Sequence, residues 1–298
     1  MIKRLTFFLI SIALILAAVH GIHIRQTSTP QSTNKKIQVI VSFYPLYFFA
    51  SEIGKDKADV VNITPSGAEP HDYEPSTQDI AQIEKSDVLI LNGGQLESWG
   101  DKIKENLGGK KVMVVTAAEG LTTQNDPHVW LDPILAKKEV EVIIQAFIKV
   151  DPMNKNYYEQ NAKQLQEKLD ILDSQFRQGL QQCQQKNIVT SHAAFGYIAS
   201  RYNLKQVPIS GLSPDSEPSP KKLSDIAQFA KTNNVKYIFF ETLVSPRLAQ
   251  TIANEVGAKT LVFNPLEGLT KEQEEAKKDY LSIQRENLDN LKIALECK

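Results

Sequence analysis

The sequence predicts an α/β protein of two lobes, each a mostly parallel sheet flanked by helices, joined by one long rigid helix. Short runs rich in Val, Ile and Phe alternate with helical segments along most of the chain. That alternation builds parallel sheets, because each helix carries the chain back to start the next strand in the same direction. It is interrupted by a polar stretch from Met153 to Gln184, in which Leu165, Leu169, Leu172 and Phe176 recur at helical spacing. A length of 298 residues, 42% of them hydrophobic and 23% charged, suffices for two modest lobes.

Before the first lobe, Lys3 and Arg4 precede an apolar run from Leu5 to Val19, the arrangement of an export leader. Residues 1–24 are therefore assigned to a signal peptide or N-terminal anchor. The apolar run is short for a membrane span, which needs about 20 residues, and the small residues Ala17, Ala18 and Gly21 offer only a poor cleavage site. No cysteine follows, so attachment through a lipidated cysteine is not expected. Residues 25–36 are polar and read as a flexible linker. The expected location is the outer face of the cytoplasmic membrane, periplasmic or extracellular, with tethering by an uncleaved leader left open. The two cysteines, Cys183 and Cys297, permit one disulfide in such a compartment. A formal net charge of −1 gives no basis for nucleic-acid binding.

The first lobe is assigned to residues 37–152. Its strands are expected at Gln38–Phe43, Asp59–Ile63, Val88–Asn92 and Lys111–Val115. Helices are expected from Pro45 to Gly54, after the Ser76 cap, from near Glu97, and from Ile134 to Val150. Residues 153–185 form the connector, which at 1.5 Å per residue spans on the order of 45 Å. The second lobe, residues 186–298, repeats the alternation with strands at Asn187–Ser191, Tyr237–Glu241 and Thr260–Asn264. A Pro/Ser loop, Gly211–Pro220, leads into one of its helices, and a single last helix is expected over Lys271–Glu296.

Outside the leader and linker there are only three histidines: His71, His128 and His192. Each follows a predicted strand, in a loop bounded by Pro, Gly or Ser, where open α/β sheets place their ligands. A lone histidine usually carries no metal, but three with none elsewhere in the lobes point to one site closed between two lobes. Three neutral imidazoles suit Zn²⁺, completed by a carboxylate or a water.

The motifs PSGAEPHDYEPS, DPHVWLDP, VTSHAAFGYIASRY, GLSPDSEPSPKKL and FFETLVSPRLAQTIANEVGAKTLVFNPLEGLT resemble, in order, those of the metal-binding components of ATP-driven zinc and manganese importers, the cluster A-I solute-binding proteins. The resemblance covers about residues 37 to 296. It implies two α/β lobes joined by a long helix, one metal buried between them, and delivery of that metal to the membrane permease of an ABC importer. It places His71, His128 and His192 on the family's metal ligands and Glu267, in NPLEG, on the fourth. Water or Glu69 is the alternative for that position. Glu241, Asp126, Asp132 and Ser191 are candidates for supporting the ligands from behind. More nitrogen and less carboxylate favours Zn²⁺, with Mn²⁺ as the alternative. The loop Ala117–Asp126 has no histidine-rich insert, which removes the basis for a metal-gathering role. The implied protein is a monomeric zinc-binding protein and not an enzyme. A manganese-binding member of the same family, a metal-stabilised adhesin and a zinc hydrolase are the competing readings.

Overall fold

Two four-stranded parallel sheets, one from each half of the chain, form the frame. The structure, a computed structural model, describes residues 35–298. The expected leader, 1–24, and nearly all of the expected linker, 25–36, lie outside the described residues. Among the described residues no helix is long and apolar enough to cross a membrane.

The first sheet contains β1 (Ile37–Val41), β2 (Ala58–Asn62), β3 (Val88–Leu91) and β4 (Met113–Thr116), in the order β2-β1-β3-β4. The second contains β5 (Asn187–Thr190), β6 (Lys205–Pro208), β7 (Tyr237–Phe240) and β8 (Lys259–Val262), in the order β6-β5-β7-β8. β3 is buried at every residue, as a central parallel strand covered on both faces must be, whereas the edge strand β2 alternates. Both lobes thus reverse their strand order at the same place, and the crevice at the C-terminal ends of such strands is where α/β sheets bind ligands.

The helices are α1 (Tyr44–Gly54), α2 (Thr77–Ile83), α3 (Gly100–Asn106), α4 (Pro133–Val150), α5 (Lys155–Gly179), α6 (Gly196–Arg201), α7 (Pro220–Thr232), α8 (Arg247–Val256), α9 (Lys271–Glu275) and α10 (Tyr280–Ala294). Ser76 and Asp79 form a reciprocal capping box at α2, and Gly257 closes α8 in the left-handed conformation (φ 69°).

Four departures from the sequence expectation have local causes. α3 starts at Gly100 rather than near Glu97, whose carboxylate instead accepts from the backbone N–H groups of Asn92 (2.7 Å) and Gly93 (2.9 Å). The connector helix α5 has 25 residues, so it spans about 37 Å, not 45 Å. Its last residue, Gly179, abuts α10, where a Cβ would come within 3.1 Å of Leu288. The single last helix is two: Lys277 takes φ 53°, and Asp279 starts α10 by accepting from the Ser282 N–H. Strand β6 is additional to the strands that the sequence predicts. Lys205-Gln-Val-Pro208 is weak β sequence, and its proline is tolerated because β6 is an edge strand.

Cys183 and Cys297 are disulfide-bonded. The same segments also pair through backbone, Gln185 N–H to Leu295 O and Lys298 N–H to Gln182 O, each at 3.0 Å.

Residues 36–298 form one compact unit, and the packing of α5 explains why. Its apolar stripe, Leu165, Leu169, Leu172 and Phe176, is fully buried. α5 packs on α1 and α4 of the first half and on α10 of the second. One apolar core therefore runs from Val39, Phe49 and Phe147 through this stripe to Phe195, Phe263 and Leu291. Each such side chain contributes about 1.5–3 kcal/mol by burial. Separating the lobes would expose many of them at once, which restricts the crevice to small movements.

Candidate metal centre

Each of the four sequence-predicted ligands is delivered by a loop held in place by hydrogen bonds. The His71 loop starts where the Thr64 hydroxyl donates to Ser42 O (2.6 Å). It crosses to the second lobe at Gly67 (φ 83°), whose N–H donates to Leu269 O at 2.9 Å, beside the Ser66 hydroxyl at the same distance. The His128 segment is held from below by Asn92, whose amide donates to Pro127 O at 3.0 Å. His192 leaves β5 directly, its carbonyl fixed by the Thr190 hydroxyl (2.8 Å) and the Gln206 amide (3.0 Å). Glu267 follows Leu266, a left-handed residue (φ 61°) whose N–H donates to Asn264 Oδ1 at 2.7 Å. A leucine there is strained by about 1–2 kcal/mol. Asn287 of α10 offsets this by bonding both the N–H and the C=O of Asn264, each at 2.8 Å. Trp130, just beyond His128, donates its indole N–H to Pro265 O at 2.7 Å, so the second and fourth loops are joined directly.

The four side chains converge. His128 Nε2 lies 3.3 Å from both His71 Nε2 and His192 Nε2. Glu267 Oε1 lies 3.4, 3.2 and 3.3 Å from the Nε2 atoms of His71, His128 and His192. All four atoms fall within 4.8 Å of one another. Five of the six separations are thus 3.2–3.4 Å, and a tetrahedron with edges of about 3.3 Å has its centre about 2.0 Å from each corner, the range of Zn–N and Zn–O bonds. His128, His192 and Glu267 are fully buried. Neither Glu267 oxygen has a hydrogen-bond partner of ordinary geometry, so a buried carboxylate faces three imidazoles without a conventional donor. A cation between them resolves that arrangement.

Two of the three imidazoles are oriented from behind. His128 Nδ1 lies 2.7 Å from Asp126 Oδ1, which also accepts the His128 N–H at 3.0 Å. His192 Nδ1 lies 2.7 Å from Glu241 Oε1. With a carboxylate on Nδ1, that nitrogen carries the proton and the Nε2 lone pair points inward. In the metal-free protein, burial works against charge on His192, but Glu241 and Glu267 outweigh it and hold its pKa well above the usual imidazole value. Burial likewise pushes Glu267 up, and His192 with the other two imidazoles outweighs it and holds the carboxyl well below its usual range.

The remaining candidates separate. Glu241 and Asp126 contact the Nδ1 atoms of His192 and His128; Asp132 and Ser191 contact none of the three histidines. Asp132 caps α4, accepting from Ile134 N–H (2.9 Å), and pairs with Arg201. The Ser191 hydroxyl donates to Phe239 O at 3.2 Å. Glu69 is not among the four converging residues. Burial, then the charge of Glu267, pushes its pKa up to about 9, so it stays protonated at neutral pH. Sequence reasoning missed Tyr197, Arg201 and Asn92, which carry no spacing signal of their own.

The family model described as ZnuA, zinc-uptake complex component A, periplasmic, matches residues 39–294. The chain belongs to this family. The high-affinity zinc uptake system protein ZnuA of Bacillus subtilis is 40% identical over 311 aligned positions, covering 98% of this chain and 97% of the relative. The zinc-bound ZnuA-like domain of Streptococcus pneumoniae AdcA superposes with a TM-score of 0.79 at 41% identity, covering 88% of this chain and all of that domain. Against the whole zinc-binding lipoprotein AdcA, the chain spans 60% of the relative's length. The laminin-binding protein of Streptococcus agalactiae, described as bifunctional with adhesin and metal transporting activity, gives a TM-score of 0.81 at 38% identity over 87% of this chain and 99% of that one.

Proposed function

We propose that this member of the zinc-uptake family captures one Zn²⁺ between its lobes, outside the cytoplasm, and delivers it to the permease of an ABC importer. His71, His128, His192 and Glu267 are its ligands. The observation that carries this reading is the convergence of three Nε2 atoms and one otherwise partnerless carboxylate oxygen at tetrahedral spacing. Three nitrogens and one oxygen favour Zn²⁺ over Mn²⁺, which prefers oxygen donors. Four protein ligands fill the tetrahedron and leave no position for a reactive water, which favours zinc as cargo over zinc as catalyst. The disulfide fits an oxidising, extracytoplasmic compartment. We assign the lobes to residues 37–152 and 186–298 of a monomer, with residues 153–185 as the connector between them. The similarity to the S. agalactiae laminin-binding protein favours one further reading, adhesion by the same scaffold.

Competitive Zn²⁺ and Mn²⁺ titration of the wild type and of the His71, His128, His192 and Glu267 to alanine variants tests the site. The expected result is tight one-to-one Zn²⁺ binding that every substitution weakens. Preference for Mn²⁺, or full affinity in the Glu267 variant, contradicts the ligand set. Growth of a deletion strain in chelated medium tests delivery: rescue by added zinc is expected, and indifference to zinc favours adhesion.

A further inference from the structure

Helix α6 starts four residues after His192 and presents one face to the segment that carries His128. Residues 123–126 form a tight turn in which Asp126 N–H donates to Thr123 O at 2.9 Å. Its tip residues Gln124 and Asn125 have φ of 53° and 60°. In a two-residue hairpin of this kind the flanking residues ordinarily exchange a second backbone bond. Here Thr123 and Asp126 still face each other as an antiparallel bridge, but a side chain from the other half of the molecule takes the short hydrogen bonds of the second N–H and C=O. Thr123 N–H donates to the Tyr197 hydroxyl at 2.8 Å, and the hydroxyl donates to Asp126 O at 2.8 Å. Asp126 is the residue whose carboxylate orients His128.

Two neighbours on α6 reinforce the contact. Arg201, one turn beyond Tyr197, pairs with Asp132 on the far side of His128. Gly196 lies so near the turn that a Cβ would come within 2.9 Å of Asp126 Oδ2. The His128 segment is therefore gripped at both ends by the helix that follows His192.

We propose that Tyr197 is a positioning residue for metal capture: its hydroxyl, wedged in the 123–126 turn, sets Asp126 and through it the Nε2 of His128 relative to that of His192. This rests on the zinc-binding reading above. Without the hydroxyl, Thr123 N–H and Asp126 C=O close on each other as an ordinary hairpin pair. Two hydrogen bonds in series are replaced by one of about 2.9 Å. The Asp126 backbone is drawn toward Thr123, and its carboxylate turns away from His128 Nδ1. The crevice then holds the same four ligands in a looser arrangement.

The test is Tyr197→Phe, alone and combined with Asp126→Asn, in the full disulfide-bonded protein. The readouts are zinc affinity by chelator competition, zinc release rate, the visible absorption spectrum of the Co²⁺-loaded protein, and the melting temperature without metal. Loss of a group behind a ligand weakens metal binding by about 10- to 100-fold; Tyr197 acts one bond further out, so a loss of about tenfold is expected. A faster release, a changed Co²⁺ spectrum and a nearly unchanged metal-free melting temperature accompany it. In the Asp126→Asn background the tyrosine substitution has no further effect on affinity. Unchanged affinity in Tyr197→Phe overturns the proposal, as does an undiminished loss in the double variant. A lowered metal-free melting temperature with normal affinity makes Tyr197 merely structural and also overturns it. A wild type that binds no zinc is a different failure: it overturns the zinc reading, and the proposal with it.

Discussion

Glu139 lies on α4, fully buried, and neither of its carboxyl oxygens has a hydrogen-bond partner among the described residues. Burial, with a smaller contribution from Glu97, holds its pKa well above the ordinary 4.5. Below the ordinary value the carboxyl is protonated in both folded and unfolded chains, and pH has no effect through it. Above 4.5 the unfolded chain releases this proton while the folded chain keeps it. The folded state then binds more protons, so stability falls as pH rises, at about 1.4 kcal/mol per pH unit until the folded pKa is reached. Glu139→Gln is nearly isosteric and does not titrate, so it removes this slope whatever constant cost its amide adds. From pH 5 upward the variant should therefore gain on the wild type, by up to about 1.4 kcal/mol per pH unit until the folded pKa is reached. Urea unfolding of both metal-free proteins at pH 5, 6 and 7 measures it. If the difference between them is the same at all three values, Glu139 is ionised or paired in the folded protein and the reasoning fails.

The Cys183–Cys297 bond closes a sequence separation of 114 residues, so replacing both cysteines by serine should cost about 3–5 kcal/mol, mostly through the freed unfolded chain. Zinc affinity should be unchanged; a stability loss under about 1 kcal/mol in urea melts contradicts this. The Tyr280 hydroxyl donates to the buried Trp130 carbonyl, and Tyr280→Phe should cost about 1–3 kcal/mol by leaving that oxygen unpaired. Equal midpoints with equal urea slopes would show that the carbonyl is satisfied otherwise. Glu241 orients His192, so Glu241→Gln should weaken zinc binding by about 10- to 100-fold in chelator competition; full affinity would sink that role.

The sequence by itself determined the parts of this protein whose signals are local. Strands such as Val88–Leu91 and the capped helix at Ser76 are legible because burial pattern and cap chemistry act over a few residues. The three histidines stand out because no others occur in the lobes, and Glu267 joined them only through its resemblance to a family motif. Tertiary structure decided what depends on distant neighbours. Lys205–Pro208 is a strand because β5 offers it an edge, the last helix breaks where Asp279 can cap a new one, and Gly179 ends α5 against Leu288. Asp132 and Ser191 looked equivalent to Asp126 and Glu241 along the chain, and only packing sent the first pair elsewhere. His71 and Glu267 meet at 3.4 Å although 196 positions (267 − 71) separate them along the chain. No local pattern encodes such a meeting, because contacts between distant residues form only when the shared core brings both lobes together.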